Sequence, residues 1–329
     1  MCSPALGDTL LFSAALQDLR AYFGAGVEIV HFCMKPNLAA AEMIPGADRR
    51  VVVSLMRVGE SIRTIRQERV DAFYDFTAWQ RLTAFLTLRS GARHTAGFRT
   101  AGQYRGRAFD LTAEHRNDRH EVENFRALVQ AIGAKSGAAP RVVSDPMHSE
   151  PFEEEADIVV FHPWASGQQC WLREWPEDCW VELARSIGRP KTLFVITGSP
   201  SDQARSIPMS ERLQAAGARS SAFVSPDGFR ALSRVLLRAR AVVSVNTGVM
   251  HLAAILGAPT VSLNGPTNPL RWGAYGERVA NVQPYDGSGG YLNLGFEFPR
   301  NTEDVMPKIR VEDVVEAVRE ISKRSGAEA

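Results

Sequence analysis

The sequence predicts an α/β fold in two domains. Three observations carry that reading. Short apolar runs alternate with segments of helical periodicity along most of the chain, a stretch rich in Gly, Ala, Ser, Pro and acidic residues interrupts the alternation near the middle, and 329 residues are too many for one ordinary small core.

In the first half, 27–34 (VEIVHFCM), 50–55 (RVVVSL), 71–77 (DAFYDFT) and 93–98 (RHTAGF) read as strands. Thr9 to Tyr22, Glu60 to Glu68, Trp79 to Leu88 and His120 to Ile132 read as helices, and Gly133 stands where the last should stop. Residues 133–156 form the interrupting stretch, a linker by composition, which sets the domains at 1–150 and 151–329. The alternation then resumes with 157–163 (DIVVFHP), a helix from Glu177 to Ile187, 191–198 (KTLFVITG), a helix that includes Arg212 to Ala216, and 221–225 (SAFVS). A helix from Phe229 to Arg238, a strand, helix and strand between Ala241 and Leu263, and an amphipathic helix from Val311 to Ser322 complete it. Two such halves suggest two Rossmann-like domains facing each other, with ligands in the crevice at the carboxyl ends of the strands.

Composition excludes several classes. With 38 Lys and Arg against 37 Asp and Glu, the overall charge gives no reason to expect a nucleic-acid partner. Cys2, Cys33, Cys170 and Cys179 match neither a zinc pattern nor a disulfide framework and read as reduced thiols of a cytosolic protein. No apolar stretch reaches the roughly 18 to 20 residues that span a bilayer, so membrane contact, if any, is peripheral.

The most informative stretch is 242–269, VVSVNTGVMHLAAILGAPTVSLNGPTNP. An apolar strand breaks at Asn246-Thr247-Gly248 and a helix follows, which places free backbone N–H groups and the positive end of the helix dipole where a phosphate would bind. The other reading is a tight strand-to-helix turn that needs Gly248 for its backbone alone. His251, in the first turn of that helix, either faces the crevice or packs as a structural histidine.

As a unit, this stretch resembles the signature of glycosyltransferase family 9, the lipopolysaccharide heptosyltransferases, roughly D-[ST]-G-x-x-H-L-A-A-x-L-G-x-P-x-V-x-L-F-G-P-T. Thr247, Gly248, His251, Leu252, Ala253, Ala254, Gly257, Pro259, Gly265, Pro266 and Thr267 match. Further resemblance lies in 5–20 (ALGDTLLFSAALQDLR) through Gly7 and Asp8, in 71–98, in 119–133 with His120, in 159–176 (VVFHPWASGQQCWLREWP) and in 194–202 (FVITGSPSD). There are two departures. Asn246 stands where the family has Asp, which bears on donor preference. The family's first strand is almost absent, since only six residues precede Gly7, so either the chain starts upstream or the first domain is rebuilt.

The resemblance implies a glycosyltransferase B fold and transfer of a sugar from a nucleotide diphosphate donor, ADP-heptose first, to a lipopolysaccharide core or a related glycan or glycolipid acceptor. It implies an inverting reaction without metal or other cofactor, in the cytoplasm, with peripheral contact at the inner membrane as an option. Asp8 is the implied general base, and the alternative for it is a helix N-cap. Arg173 takes the place of the family's diphosphate-binding basic residue, usually Lys, and is expected on an exposed loop. Ser166 and its neighbours, Asn246, Thr247, Gly248 and His251 complete the implied donor site, with Asp202 as a ribose ligand or, equally, a capping carboxylate. Arg63, Arg66 and Arg99, with Arg105 and Arg107, are candidates for an acceptor rim, the alternative being solvated surface charge. Two rivals remain open: a transferase of this fold acting on a protein or small metabolite, and a non-catalytic nucleotide-sugar-binding homologue.

Overall fold

The computed structural model describes residues 1, 5–143, 152, 156–224, 228–294, 297–300 and 302–323. Cys2 and most of 144–155, the later part of the expected linker, lie outside the described residues, while Cys33, Cys170 and Cys179 are free thiols. The chain divides into two compact units, Met1–Val143 and Ser144–Ala329.

The first unit runs α1 (Leu6–Phe23), β1 (Val30–Met34), α2 (Leu38–Met43), β2 (Arg49–Val53), α3 (Val58–Gln67), β3 (Ala72–Asp75), α4 (Arg81–Leu88), β4 (His94–Thr100), β5 (Leu111–His115) and α5 (Glu121–Ala131). Its strands pair in parallel as two separate pieces, β1 with β2 and β3-β4-β5. α1 forms because residues 9–19 hold no Gly, Pro, Val or Ile, and it buries Leu10, Leu11, Phe12, Ala14, Ala15, Leu16 and Leu19. Gly133 ends α5 as expected. At φ +96° it lets its own N–H reach Gln130 O and the N–H of Ala134 reach Val129 O, which satisfies two end carbonyls.

The stretch 134–143 belongs to this unit and is not linker. The buried carboxylate of Asp18 on α1 accepts from the N–H groups of Gly137 and Ala138, Ser13 Oγ accepts from Arg141 N at 2.8 Å, and Met43 O accepts from Val143 N at 2.7 Å. At the carboxyl end of β3, Asp75 and Arg105 form an ion pair at 2.6 Å with both side chains fully buried, and Arg105 also donates to Thr77 O and Thr77 Oγ1. Burial of such a pair is offset by these further bonds and by that of the Thr77 N–H to Asp75 Oδ1, although Arg105 Nε is buried with no hydrogen-bond partner among the described residues. Arg105, one candidate for an acceptor rim, is therefore a structural residue.

The second unit runs β6 (Asp157–His162), α6 (Glu177–Ile187), β7 (Thr192–Thr197), α7 (Gln203–Ala215), β8 (Arg219–Phe223), α8 (Gly228–Arg238), β9 (Ala241–Val245), α9 (Gly248–Ile255), β10 (Thr260–Leu263), α10 (Pro269–Trp272), β11 (Val279–Val282) and α11 (Val311–Lys323). Its six strands form one parallel sheet in the order β11-β10-β9-β6-β7-β8. That is the doubly wound order, in which the direction of winding reverses between β9 and β6. Val159, Phe161, Phe194, Ile196, Val243 and Val261 face one side and pack with Trp180 and Leu183 of α6, Met209 and Leu213 of α7, and Val314, Val318 and Ile321 of α11. The opposite face is buried too, which is why β9 is buried at every position and, with Ser244 its one polar residue, does not alternate.

Candidate donor site at the strand reversal

Where winding reverses, the turns after β6, β7 and β9 open at the same edge of the sheet without a crossover helix between them. Thr247 is the N-cap of α9, in extended conformation, and its Oγ1 is buried with no hydrogen-bond partner among the described residues. The helix leaves the N–H groups of Gly248, Val249 and Met250 without intrahelical acceptors. At the other end Gly257, at φ +78°, closes α9: its N–H bonds to Ala254 O and that of Ala258 to Ala253 O, both at 3.0 Å. His251 is 3 % exposed, packed within the unit and not presented at an open face.

Asn246 is also buried, and its role is geometric. Its Nδ2 donates to Asn264 Oδ1 and to the carbonyl of Trp272, both at 2.7 Å. Asn264 is fully buried; its Nδ2 donates in turn to Ser262 O at 3.0 Å and Asn281 Oδ1 at 3.3 Å, while Ser262 Oγ donates to its Oδ1. A chain of amides thus runs from the end of β9 across β10 to β11 and holds the turn that opens α9. Asn264 stands where the signature quoted above has Phe. Asn264, which differs from the quoted signature as Asn246 does, touches Asn246, a relation that linear spacing does not reveal.

After β6 the chain makes a long loop. His162 is buried, with Nδ1 2.9 Å from Thr197 Oγ1 and 3.1 Å from Thr197 O, and burial pushes its pKa down to about 4 against the nearby charge of Asp202, so the ring is neutral at pH 7. Trp164 donates to Ser206 Oγ on α7, and the guanidinium of Arg205 lies 4.0 Å from the Trp164 ring centre while pairing with Glu174. Glu174 also accepts from the N–H of Ala165. Gly198 is required here, because a Cβ would come within 2.8 Å of Asp202 Cβ. No signal in the sequence marked Arg205, Trp164 or Glu174 as the brace of this loop.

Arg173 closes the loop in a short 3-10 turn, Cys170–Arg173. It donates to Ser166 O and is half-buried, in contrast to the exposed position expected. Its Nε is buried without a hydrogen-bond partner among the described residues, and burial works against its charge. Ser166 itself is exposed. Asp202 spends Oδ2 on the N–H of Ser199 at 2.9 Å and on Ser199 Oγ at 2.5 Å, the capping geometry that was its alternative reading. Among the described residues, no three His, Cys, Asp or Glu side chains come together as metal ligands would.

In the first unit, Gly7 and Asp8 lie inside α1 and not at the tip of a turn. The N-cap is Ala5, so Asp8 is not the cap; it is half-buried in the first helical turn, where the dipole favours negative charge. Arg63 and Arg66 are exposed on α3, with Arg66 donating to Arg89 O, while Arg99 is exposed on β4. Arg99 thus lies on a different element from Arg63 and Arg66.

The model of glycosyltransferase family 9 (heptosyltransferase) matches residues 58–287. Lipopolysaccharide heptosyltransferase 1 of Pseudomonas aeruginosa is 32% identical over 279 residues, 79% of this chain and 71% of that protein. The Salmonella typhimurium protein of the same name is 27% identical over 223 residues, 65% of this chain and 67% of its own. Among solved structures, ADP-heptose lipopolysaccharide heptosyltransferase II of Escherichia coli is 17% identical, covers 98% of both chains and superposes with a TM-score of 0.76. The E. coli heptosyltransferase WaaC with ADP is 19% identical, covers 96% of this chain and 97% of its own, and gives 0.68. The α/β architecture expected from the sequence, of glycosyltransferase B type, is thereby borne out.

Restoring the signature Asp is expected to harm this chain. In Asn246→Asp a carboxylate would face Trp272 O and Asn264 Oδ1 with no proton to offer either, and turning Asn264 over would break its bonds to Ser262 and Asn281. Urea unfolding should show a loss of about 1–3 kcal/mol. Unchanged stability would contradict this account of Asn246.

Proposed function

Because the chain belongs to glycosyltransferase family 9, the heptosyltransferases, we propose that it transfers heptose from ADP-heptose to a sugar of the lipopolysaccharide core, with inversion and without a metal ion. The observation that carries the reading is its kinship with the lipopolysaccharide heptosyltransferases. The free amides at the start of α9 support it chemically.

The reaction needs three things. The acceptor hydroxyl must lose its proton, the anomeric carbon must exchange its bond to the diphosphate oxygen for one to the acceptor oxygen, and ADP must leave with the bonding pair. In this proposal the amides of Gly248, Val249 and Met250 and the hydroxyl of Thr247 receive diphosphate oxygens. Arg173, half-buried with an unsatisfied Nε, gains an anionic partner and offers a planar fork to the same oxygens. Together they supply the positive charge for which other transferases use a divalent cation. Ser166 borders that site, while Asn246 and His251 shape it from behind, and Oδ1 of Asp202 remains the candidate for ribose. Asp8 accepts the acceptor's proton, and attack from the face opposite the diphosphate inverts the anomeric centre. Arg63, Arg66 and Arg99 are proposed to attract an acidic acceptor. No helix among the described residues is long and apolar enough to cross a membrane, and we place the enzyme in the cytoplasm, meeting a lipid-linked acceptor peripherally.

The donor base is tested by thermal denaturation with ADP, UDP and GDP at equal concentration. A ligand at about 100 times its Kd adds about 2.7 kcal/mol to the folded state. ADP should raise the melting temperature most; a larger shift with UDP would overturn the ADP-heptose assignment and leave the family intact.

The base is tested by Asp8→Asn, which keeps the size of the side chain and removes its proton affinity. Turnover should fall on the order of a hundredfold or more, with donor affinity and melting temperature nearly unchanged. Near wild-type transfer would remove Asp8 from the mechanism.

A further inference from the structure

The two units carry opposite charge. Residues 1–143 hold 19 Lys and Arg against 14 Asp and Glu, and residues 144–329 hold 19 against 23. The excess is concentrated. Between Glu68 and Asp110 stand seven arginines and two acids, Asp71 and Asp75, and Asp75 is already neutralised by Arg105 in the core. An asymmetry of this kind points to an anionic partner.

The outer face of α4 shows where it would bind. Arg81, Phe85, Leu88 and Arg89 recur at the spacing that puts them on one stripe of the helix and its end, and all four are exposed, while Thr83, Ala84, Leu86 and Thr87 are buried. Phe85 is 43 % and Leu88 60 % exposed. A surface helix ordinarily turns such residues toward the core. Arg66 on α3 donates from Nε to Arg89 O at 2.8 Å, so the exposed arginines of α3, Arg63 and Arg66, adjoin the same stripe. None of these four arginines has an ion-pair partner among the described residues; the neighbouring acids are engaged elsewhere, Glu60 with Arg57 and Glu68 with Arg49.

At the amino end of α4, Arg81 donates to Gly102 O and Gln103 O, at 3.2 and 3.0 Å, and so ties in the loop whose next residue is Tyr104. Tyr104 is 74 % exposed and holds φ +56°, in the left-handed region that a tyrosine enters only under constraint. The buried bonds of Arg105 to Asp75 and Thr77 supply that constraint, and the Arg107 guanidinium lies 5.8 Å from the tyrosine ring centre. The ring is thus held out toward solvent as a continuation of the band.

We propose that this band, made of Arg63 and Arg66 on α3, the outer stripe of α4 and Tyr104, docks on an anionic lipid surface. The arginines meet headgroup phosphates, Phe85 and Leu88 enter the boundary of the acyl chains, and Tyr104 sits at headgroup level. The combination selects the partner. A nucleic acid would satisfy the arginines and leave Leu88 in water, whereas a bilayer receives both kinds of side chain at once. The proposal names the surface of the peripheral contact stated above and rests on that reading, but it concerns lipid alone.

Sedimentation with vesicles tests it with neither donor nor acceptor present, so that its failure would leave the transfer reading standing. The full chain should bind vesicles of equal parts phosphatidylethanolamine and phosphatidylglycerol, and should bind phosphatidylcholine vesicles more weakly by about tenfold or more. Arg89→Gln should weaken binding to the anionic vesicles about fivefold. The double variant Phe85→Ser, Leu88→Ser should weaken it about tenfold or more, with the melting temperature unchanged. Leu88→Trp, which keeps an apolar group at the same point, should bind at least as tightly as the parent chain and so separates loss of contact from loss of fold. Absence of binding to the anionic vesicles would overturn the proposal, as would weakened binding by Leu88→Trp. So would an equal loss in Arg319→Gln, on α11 of the second unit, by showing that charge acts without regard to place. A loss in Arg89→Gln matched by none in the double variant would also overturn it, because the band would then serve an acidic protein or a nucleic acid and not a bilayer.

Discussion

The pairing of β6 with β9 is the constraint on which the donor side depends. About 80 residues of chain separate these strands, yet Val159 lies opposite Ala241 and His162 opposite Ser244 in a parallel ladder. With a crossover after β6 leading one way and those leading from β9 the other, no helix covers the ends of the two central strands. The sheet thus creates an open polar edge next to the most apolar part of the unit. Everything proposed for the donor, from the amides of α9 to Arg173, lies on the turns that this pairing brings to one edge.

An open edge must still be held rigid, and buried polar groups do this. The amide chain Asn246-Asn264-Asn281 fixes the entry to α9. Glu174, Arg205 and Trp164 fix the loop after β6 to α7. In the first unit, Asp75 and Arg105 do the same at the end of β3. Such networks are worth little if half-satisfied and specify one geometry if complete. Rigidity matters for transfer because a diphosphate gains most from donors that need not reorganise when charge develops.

Much of this was legible in the sequence, for identifiable reasons. β9, β10 and α6 carry strong local patterns: runs rich in β-branched and apolar residues, each holding one Ser, in the strands, and in the helix an apolar stripe placing Trp180, Leu183, Ala184 and Ile187 on one side. β5 and β11 escaped because short edge strands with polar residues lack any such pattern, and the six-residue α2 is too short to show periodicity. On the site, spacing located the turn at Thr247 and Gly248 but not the burial of Asn246 or His251, since burial depends on chain from β10 and α10. The true N-cap, Ala5, carries no side-chain cap and so no signal, which made Asp8 look like one. The resemblance called attention to Asn246 alone; its partner Asn264 becomes meaningful only when the two are seen to touch.

The central claim is that the amino end of α9 holds the donor's diphosphate. Backbone hydrogen exchange at Gly248, Val249 and Met250, measured with ADP and with adenosine at matched saturation, tests it most directly. ADP should slow exchange at these amides and adenosine should not. Equal protection by both, or protection by ADP confined to other parts of the chain, would contradict the account.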